Sequence, residues 1–153
     1  MLRAVWSVTR DADDAEEALQ DALVTIWRRF DRVQRHPNPH ALILRICMNA
    51  AYDAVRVKIR RRRREAAADS LFGRSAATPA DTLSLREWES ALLDALARLS
   101  RNQATAFVLR VVHGESYEEV ARVLGCREST ARKHVNRGRE RLKALLAAHL
   151  EEA

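Results

Sequence analysis

The chain has 153 residues, a net charge of +6 and a pI near 10.1, with only four Gly and three Pro against an abundance of Ala, Leu, Arg and Glu. That balance excludes a sheet-based architecture and indicates an all-α protein with a polyanionic partner. No apolar run approaches membrane-spanning length and the opening MLRAVWSVTR is too broken by polar residues for a secretory signal. Cys47 and Cys126 lack any C-x-x-C companion. Neither membrane insertion, secretion, a disulfide framework nor a zinc site is indicated, and the expectation is a cytoplasmic protein with two buried structural thiols.

The first clear helix has its start signal at Asp13, with Glu16 three residues on. Ala15, Ala18, Leu19, Ala22, Leu23, Ile26, Trp27 and Phe30 recur at intervals of three and four and are read as its core face. The opposite face carries Glu17, Gln20, Asp21, Val24 and Arg28, whose plain reading is contact with solvent.

A turn with two prolines follows, and Asn38 with Pro39 forms a cap and first turn for the next helix. Leu42, Ile43, Ile46, Cys47, Ala50 and Ala54 make its expected buried stripe. On the other side Arg45, Asn49, Asp53 and Arg56 recur every three or four residues, with Tyr52 beside them and Arg60 continuing the row. Residues 1–64 hold fourteen Arg or Lys against eight Asp or Glu, and seven of the fourteen lie between Arg56 and Arg64. A polar ladder that leads into a cationic one can track nucleic acid; a solvated or RNA-binding tail is the ordinary alternative.

From residue 65 to 81 periodicity fades into Ala, Ser, Thr, Gly and Pro, which reads as a flexible linker between two small helical domains, 1–64 and 82–153. Fully stretched it spans ~55 to 60 Å, more than the ~34 to 36 Å of one DNA turn. The domains are therefore free to sit on separate turns of a duplex.

The second domain opens with Leu85, Trp88, Leu92, Ala95, Leu96 and Leu99 on one face. Ser100 with Gln103 is a capping box for RNQATAFVLRVVH, whose Phe107, Val108, Val111 and Val112 are expected to face inward before a stop at Gly114. Ser116 with Glu119 repeats the device for YEEVARVL, and Gly125 supplies a left-handed turn. In the helix beyond it, Ala131, Val135 and Leu142 point inward. Arg127, Glu128, Ser129, Arg132, Lys133, Asn136, Arg137 and Arg139 are left for the outside.

A short helix, a glycine turn and a longer polar helix make a helix-turn-helix, whose second helix enters the major groove. Arg, Lys and Asn can pair with base edges, while hydroxyls reach phosphates. Many ordinary helical hairpins share the glycine turn, so these residues alone leave both readings open.

Taken with the rest of the chain, the motif resembles that of the bacterial sigma factors of the extracytoplasmic-function type, in the sigma-70 family. The second domain matches the promoter-reading motif at Gly114, Ser116, Glu119, Ala121, Leu124, Gly125, Thr130, Arg137, Arg139 and Leu142. DDAEEALQDALVTIW resembles the polymerase-binding helix through Ala15, Glu16, Gln20 and Trp27, and RICMNAAYDAVR resembles the promoter-melting helix through Ile46, Asn49, Asp53 and Arg56.

The resemblance implies a division of labour. Gln20, Asp21, Val24 and Arg28 would dock on core RNA polymerase. Arg45, Asn49, Tyr52, Asp53, Arg56 and Arg60 would bind the minus-ten element of promoter DNA, whose bases leave the stack at a cost of a few kcal/mol offset by single-strand contacts. Arg127, Ser129, Thr130, Arg132, Lys133, Asn136, Arg137 and Arg139 would read the minus-thirty-five element as duplex. An anti-sigma protein that covers one or both surfaces is a further implied partner.

The chain departs from the family pattern at four places. Its first helix is short, which implies a curtailed first domain or a start upstream; Met48 stands where a basic residue is common, Leu42 where an aromatic is, and Arg127 where a small residue is. Promoter melting and sequence preference are the properties these changes touch.

A rival reading is a stand-alone helix-turn-helix regulator, which would need no polymerase-binding face. Trp6, Trp27, Trp88 and Phe107 sit on apolar stripes and are read as core. His36, His40, His113, His134 and His149 show no ligand spacing, so no metal or cofactor is expected. Neither a P-loop, a Gly-rich dinucleotide loop, H-E-x-x-H nor G-x-S-x-G appears, and adjacent Glu118 and Glu119 point to different sides of a helix. No enzyme activity and no small-molecule substrate are expected.

Overall fold

The computed structural model describes the backbone of residues 2–71 and 80–152 and, within these, the side-chain surroundings of residues 2–68, 87, 88 and 90–147. The described residues form helices throughout. They are α1 (Leu2–Thr9), α2 (Ala12–Arg28), α3 (Phe30–Gln34), α4 (Pro39–Leu71), α5 (Ala80–Ala97), α6 (Arg101–Phe107), α7 (Tyr117–Leu124) and α8 (Glu128–Glu152), with a π-helical turn over Val108–Val112 directly after α6. Residues 72–79 of the expected linker and the side chain of Leu85 lie outside the described residues. The linker's first seven residues are helical, because α4 runs on through Glu65–Leu71, where Ala66 to Ala68 are strong helix formers.

Helix starts follow local chemistry. Asn38 Oδ1 accepts from Ala41 N at 3.0 Å with Pro39 opening α4, and Ser100 and Gln103 close a full capping box on α6. Ser116 Oγ accepts from Glu119 N at 3.1 Å. The cap of α2 is Asp11 rather than Asp13: its carboxylate accepts from the backbone N–H groups of Asp13 and Asp14 at 3.0 and 3.2 Å. Those bonds, led by the one from Asp14 and helped by Lys58, hold the Asp11 carboxyl below its usual range. Lys58 Nζ bridges Asp11 and Asp14 and so pins the start of α2 to α4. Burial works against its charge, but the two carboxylates outweigh it and raise its pKa.

Between α6 and α7 the helix widens: His113 N bonds to Val108 O, five residues back, at 3.1 Å. The extra residue in that turn shifts the helical register, so Leu109 is buried while Val111 and Val112, expected inside, face out. Gly125 takes φ 63°, ψ 42°, the left-handed C-terminal position where a side chain would be strained.

The two helical modules are packed together. One cluster joins Val5, Val8, Ala15, Ala18, Ala22, Met48, Ala51, Tyr52, Val55 and Ile59 of the first with Leu93, Leu96, Leu99, Ala104, Val108 and Leu142 of the second. A smaller cluster sets Ala41, with Leu44 against it, among Leu109, Val120, Leu124, Ala131 and Val135. Helix α4 thus buries two sides, one under α1 and α2 and the other against the second module. Its buried row of Cys47, Met48, Ala51, Tyr52, Val55 and Ile59 is rotated from the expected stripe, and Leu42, Ile43, Ile46, Ala50 and Ala54 are only half-buried. Cys47 is buried, with its thiol pushed up by desolvation, and Cys126 is half-buried.

Candidate nucleic-acid and partner interfaces

Helix α8 is anchored by Ala131, Val135, Gly138 and Leu142, all buried on one face. Gly138 lets α8 approach α6 closely: a Cβ at that position would stand 3.2 Å from the backbone oxygen of Gln103 in α6, a tight contact. With that face held, Arg127, Ser129, Arg132, Lys133, Asn136, Arg137 and Arg139 are exposed, and Thr130 is half-buried in the first turn. Every expected duplex-contacting residue therefore lies on or beside the outer face of the second helix of a helix-turn-helix.

One of these side chains is held in place. Arg132 stacks on the ring of Tyr117, its guanidinium carbon 4.1 Å from the centroid, and Arg110 contacts the same ring at 4.7 Å. Glu128 Oε1 accepts from Arg132 Nε at 3.1 Å and from a terminal nitrogen at 2.6 Å. The bonds to Glu128 use Nε and one terminal nitrogen, so the end of the guanidinium keeps the fork of donors that pairs with guanine O6 and N7. Arg110 in turn donates to the carbonyl of Glu115 at 2.8 Å. Tyr117 is absent from the set read off the sequence, because only folding brings α7, α8 and the π turn to one ring.

The second surface is the ladder on α4. Asn49, with Arg29, Arg32 and Arg45, lines a hollow of about 260 Å³. Arg45 lies against the helix-turn-helix turn, where a Cβ on Gly125 would come within 3.2 Å of its guanidinium. Arg60 is exposed, its Nε donating to Arg56 O at 3.3 Å. The remaining three are engaged. Arg56 donates to Ala97 O and Leu99 O at 3.3 and 2.8 Å, and Asp53 accepts twice from Arg101 at 2.7 and 2.8 Å. Tyr52, placed on the exposed ladder from its spacing, is instead 1% exposed, and burial drives its phenol pKa far up. Its hydroxyl has no hydrogen-bond partner among the described residues. The reason is the second packed side of α4, which no single-helix periodicity reveals. Met48 is likewise core, so the position of the missing basic residue is buried.

The third surface is α2. Gln20, Asp21, Val24 and Arg28 are all exposed, with Gln20 Nε2 donating to Glu16 Oε1 at 3.3 Å. The apolar stripe beside them is divided. The small residues Ala15, Ala18 and Ala22 are buried, whereas Leu23 is 62%, Phe30 54% and Trp27 80% exposed. Trp27 and Phe30 are therefore surface residues and not core. Trp6 and Trp88 are also substantially exposed, while Phe107 is half-buried. An eight-residue stripe is wider than one packed face, and only the position of α4 decides which edge is covered.

Among the described residues no cluster of His, Cys, Asp or Glu could hold a metal, and no helix is long and apolar enough to cross a membrane. Residues 1–65 match the family described as sigma-70 region 2, and residues 89–142 match sigma-70 region 4. Among curated proteins, the chain is 31% identical over 141 residues to the ECF RNA polymerase sigma factor EcfG of Rhodopseudomonas palustris, covering 92% of this chain and 75% of that one. It is 32% identical over 139 residues to the RNA polymerase sigma factor CarQ of Myxococcus xanthus, covering 91% and 78%. The structure of the sigma factor RpoE of Bartonella quintana, solved in complex with the anti-sigma factor NepR, is similar with a TM-score of 0.51 and 30% identity over 95% of this chain and 89% of that one. With both regions matched in order and these relatives aligned over about nine-tenths of this chain, the chain belongs to the ECF type of the sigma-70 family of RNA polymerase sigma factors.

Proposed function

We propose that this protein binds core RNA polymerase and directs it to specific promoters, with each of the three surfaces taking one part. The exposed row of α8 supports duplex reading: Ala131, Val135, Gly138 and Leu142 fix the helix, and Arg127, Ser129, Thr130, Arg132, Lys133, Asn136, Arg137 and Arg139 supply donors to phosphates and base edges. Arg45, Asn49, Asp53, Arg56 and Arg60 would engage the unpaired minus-ten strand. Tyr52 would join them only if α4 were uncovered, since its ring is buried.

Core polymerase is assigned to α2. Gln20, Asp21, Val24 and Arg28 lie beside exposed Leu23 and Trp27, and large aromatic anchors next to charged rims are what docking surfaces present. The observation that carries this assignment is Trp27, because a tryptophan 80% exposed on a charged helix is costly to leave in water without a partner. By the same family relationship an anti-sigma protein is the regulatory partner. The protein would act in the cytoplasm as an initiation factor, with no turnover of its own.

The test is runoff transcription with core polymerase on a promoter library, with and without this protein, together with co-purification of the Asp21→Lys, Arg28→Glu variant. Promoter-specific transcripts that need the protein, and loss of core binding with duplex binding retained, are expected. Core binding unchanged by the double reversal would favour the stand-alone regulator.

A further inference from the structure

Helix α2 carries an outward seam whose charges are sorted along the axis. Ala15, Ala18 and Ala22 are its buried side, so Gln20, Val24 and Trp27 turn most directly outward, with Leu23 at their edge, all four exposed. Every acid of α2 lies in the first ten of its 17 residues, and its only base, Arg28, is the last. The helix dipole accounts for Asp13 and Asp14 in the first turn, but it fades within that turn and does not account for Asp21. Asp21 and Arg28 lie on one flank of the seam, and neither makes an ion pair among the described residues.

We infer that two copies of this chain associate through α2, antiparallel about a two-fold axis beside Val24, and that this pairing masks the face proposed above for core polymerase. Self-association stands on the seam itself; the masking rests on the polymerase reading. The argument is register. With a rise of about 1.5 Å per residue, a two-fold centred between Val24 and Thr25 brings Asp21 of each copy level with Arg28 of the other, on the same side of the pair. The same register drops each Trp27 between Gln20 and Val24 of the partner copy, a knob in a hole. A parallel pair would instead set Asp21 against Asp21 and Arg28 against Arg28. One patch therefore serves as both halves of the contact, as a two-fold interface requires. A single helix face from each copy falls at the small end of specific interfaces, below about 1,200 Å² in total, so the pair forms and parts readily. Masking then grows with the concentration of the protein itself.

The test is sedimentation velocity of the full chain from low-micromolar to millimolar concentration, with binding to core polymerase measured in parallel. The unsubstituted protein should pass from one to two chain masses as concentration rises. Asp21→Lys or Arg28→Glu alone should weaken the pair about three- to thirtyfold, since two symmetry-related contacts reverse at once and each exposed pair counts for up to about fivefold. Mixing the two single variants, or joining both changes in one chain, sets opposite charges across both contacts again and should restore association. Trp27→Ala should weaken it at least about tenfold as a lost anchor. A protein monomeric throughout, single reversals without effect, or a combined variant as weak as the singles would each overturn the pairing. Misfolding cannot imitate the expected result, because the combined variant must regain what each single variant loses. Added core polymerase should break the pair into complexes that hold one copy, and complexes holding both copies would overturn the masking. The combined variant should pair yet fail to bind core. If it pairs and also binds core, the polymerase reading of α2 falls and the masking with it, while the pairing stands.

Discussion

The Tyr117 stack makes a quantitative prediction about promoter specificity. Replacing Tyr117 by Leu removes the aromatic face under Arg132 at 4.1 Å and under Arg110 at 4.7 Å, each worth about 0.5–1 kcal/mol at exposed sites. Bidentate pairing of an Arg with guanine supplies about 1–3 kcal/mol of discrimination, and it depends on the guanidinium arriving pre-oriented. The expected loss is therefore the Arg132 share, about 0.5–1 kcal/mol, or roughly two- to fivefold in preference at the one base pair Arg132 reads. Tyr117→Phe keeps the ring and should keep the preference; Arg132→Ala should relax the same base pair by roughly five- to 150-fold. The assay is competitive selection of duplexes from a randomised minus-thirty-five library, with thermal melting alongside to show that the variants fold. Equal losses in the Phe and Leu variants would refute the stack, and an Arg132→Ala selection identical to the starting protein would refute base reading by Arg132.

Further outcomes test the other surfaces. Trp27→Ala should alter folding stability by no more than about 0.5 kcal/mol, as expected of an exposed position, yet weaken core polymerase binding at least tenfold as a lost anchor. Melting and co-purification together check this. Gly138→Ala, which at an ordinary mid-helix site stabilises by about 0.5–1 kcal/mol, should destabilise here by about 1–3 kcal/mol, because its Cβ meets the Gln103 carbonyl of α6. Chemical denaturation gives the sign. His113 Nε2 lies 3.0 Å from Ser7 Oγ across the two modules, and burial, aided by Arg3 and opposed by Glu115, lowers its pKa. The folded state thus prefers the neutral ring, and its stability is full above pH ~6.5, the unfolded value, and declines as pH falls below it. His113→Asn should flatten that decline in pH-dependent melts, leaving a smaller slope of the same sense from His134, which burial and Arg137 also shift downward. Binding to promoter duplex should fall roughly 10³-fold between 50 and 200 mM salt if six or more phosphates are neutralised.

Several site features were legible because they depend on residues near one another in the chain. The caps at Asn38, Ser100 and Ser116 involve groups three residues apart, and Gly125 follows from the local cost of a left-handed turn. Ala131, Val135 and Leu142 repeat with helical spacing, which places the cationic residues of α8 on the opposite side without knowledge of anything else. The cap of α2 is Asp11, one of three acids close together there, and Lys58, far along the chain, bridges it and Asp14. The π turn was invisible, since an i to i+5 bond leaves no mark in a pattern read at 3.6 residues per turn.

The amino-acid order by itself determined the helical class, the helix-turn-helix and which side of α8 meets solvent, since propensity, capping and one-face periodicity act within a few turns. Only the tertiary structure decided what α4 and α2 show to the outside. Tyr52 and Met48 are core because α4 is packed from two directions, and Trp27 and Phe30 are surface because alanines on α2 take the contact with the rest of the module. A single helix records how far apart its side chains are, but burial depends on how many neighbours surround it, and those neighbours come from distant parts of the chain.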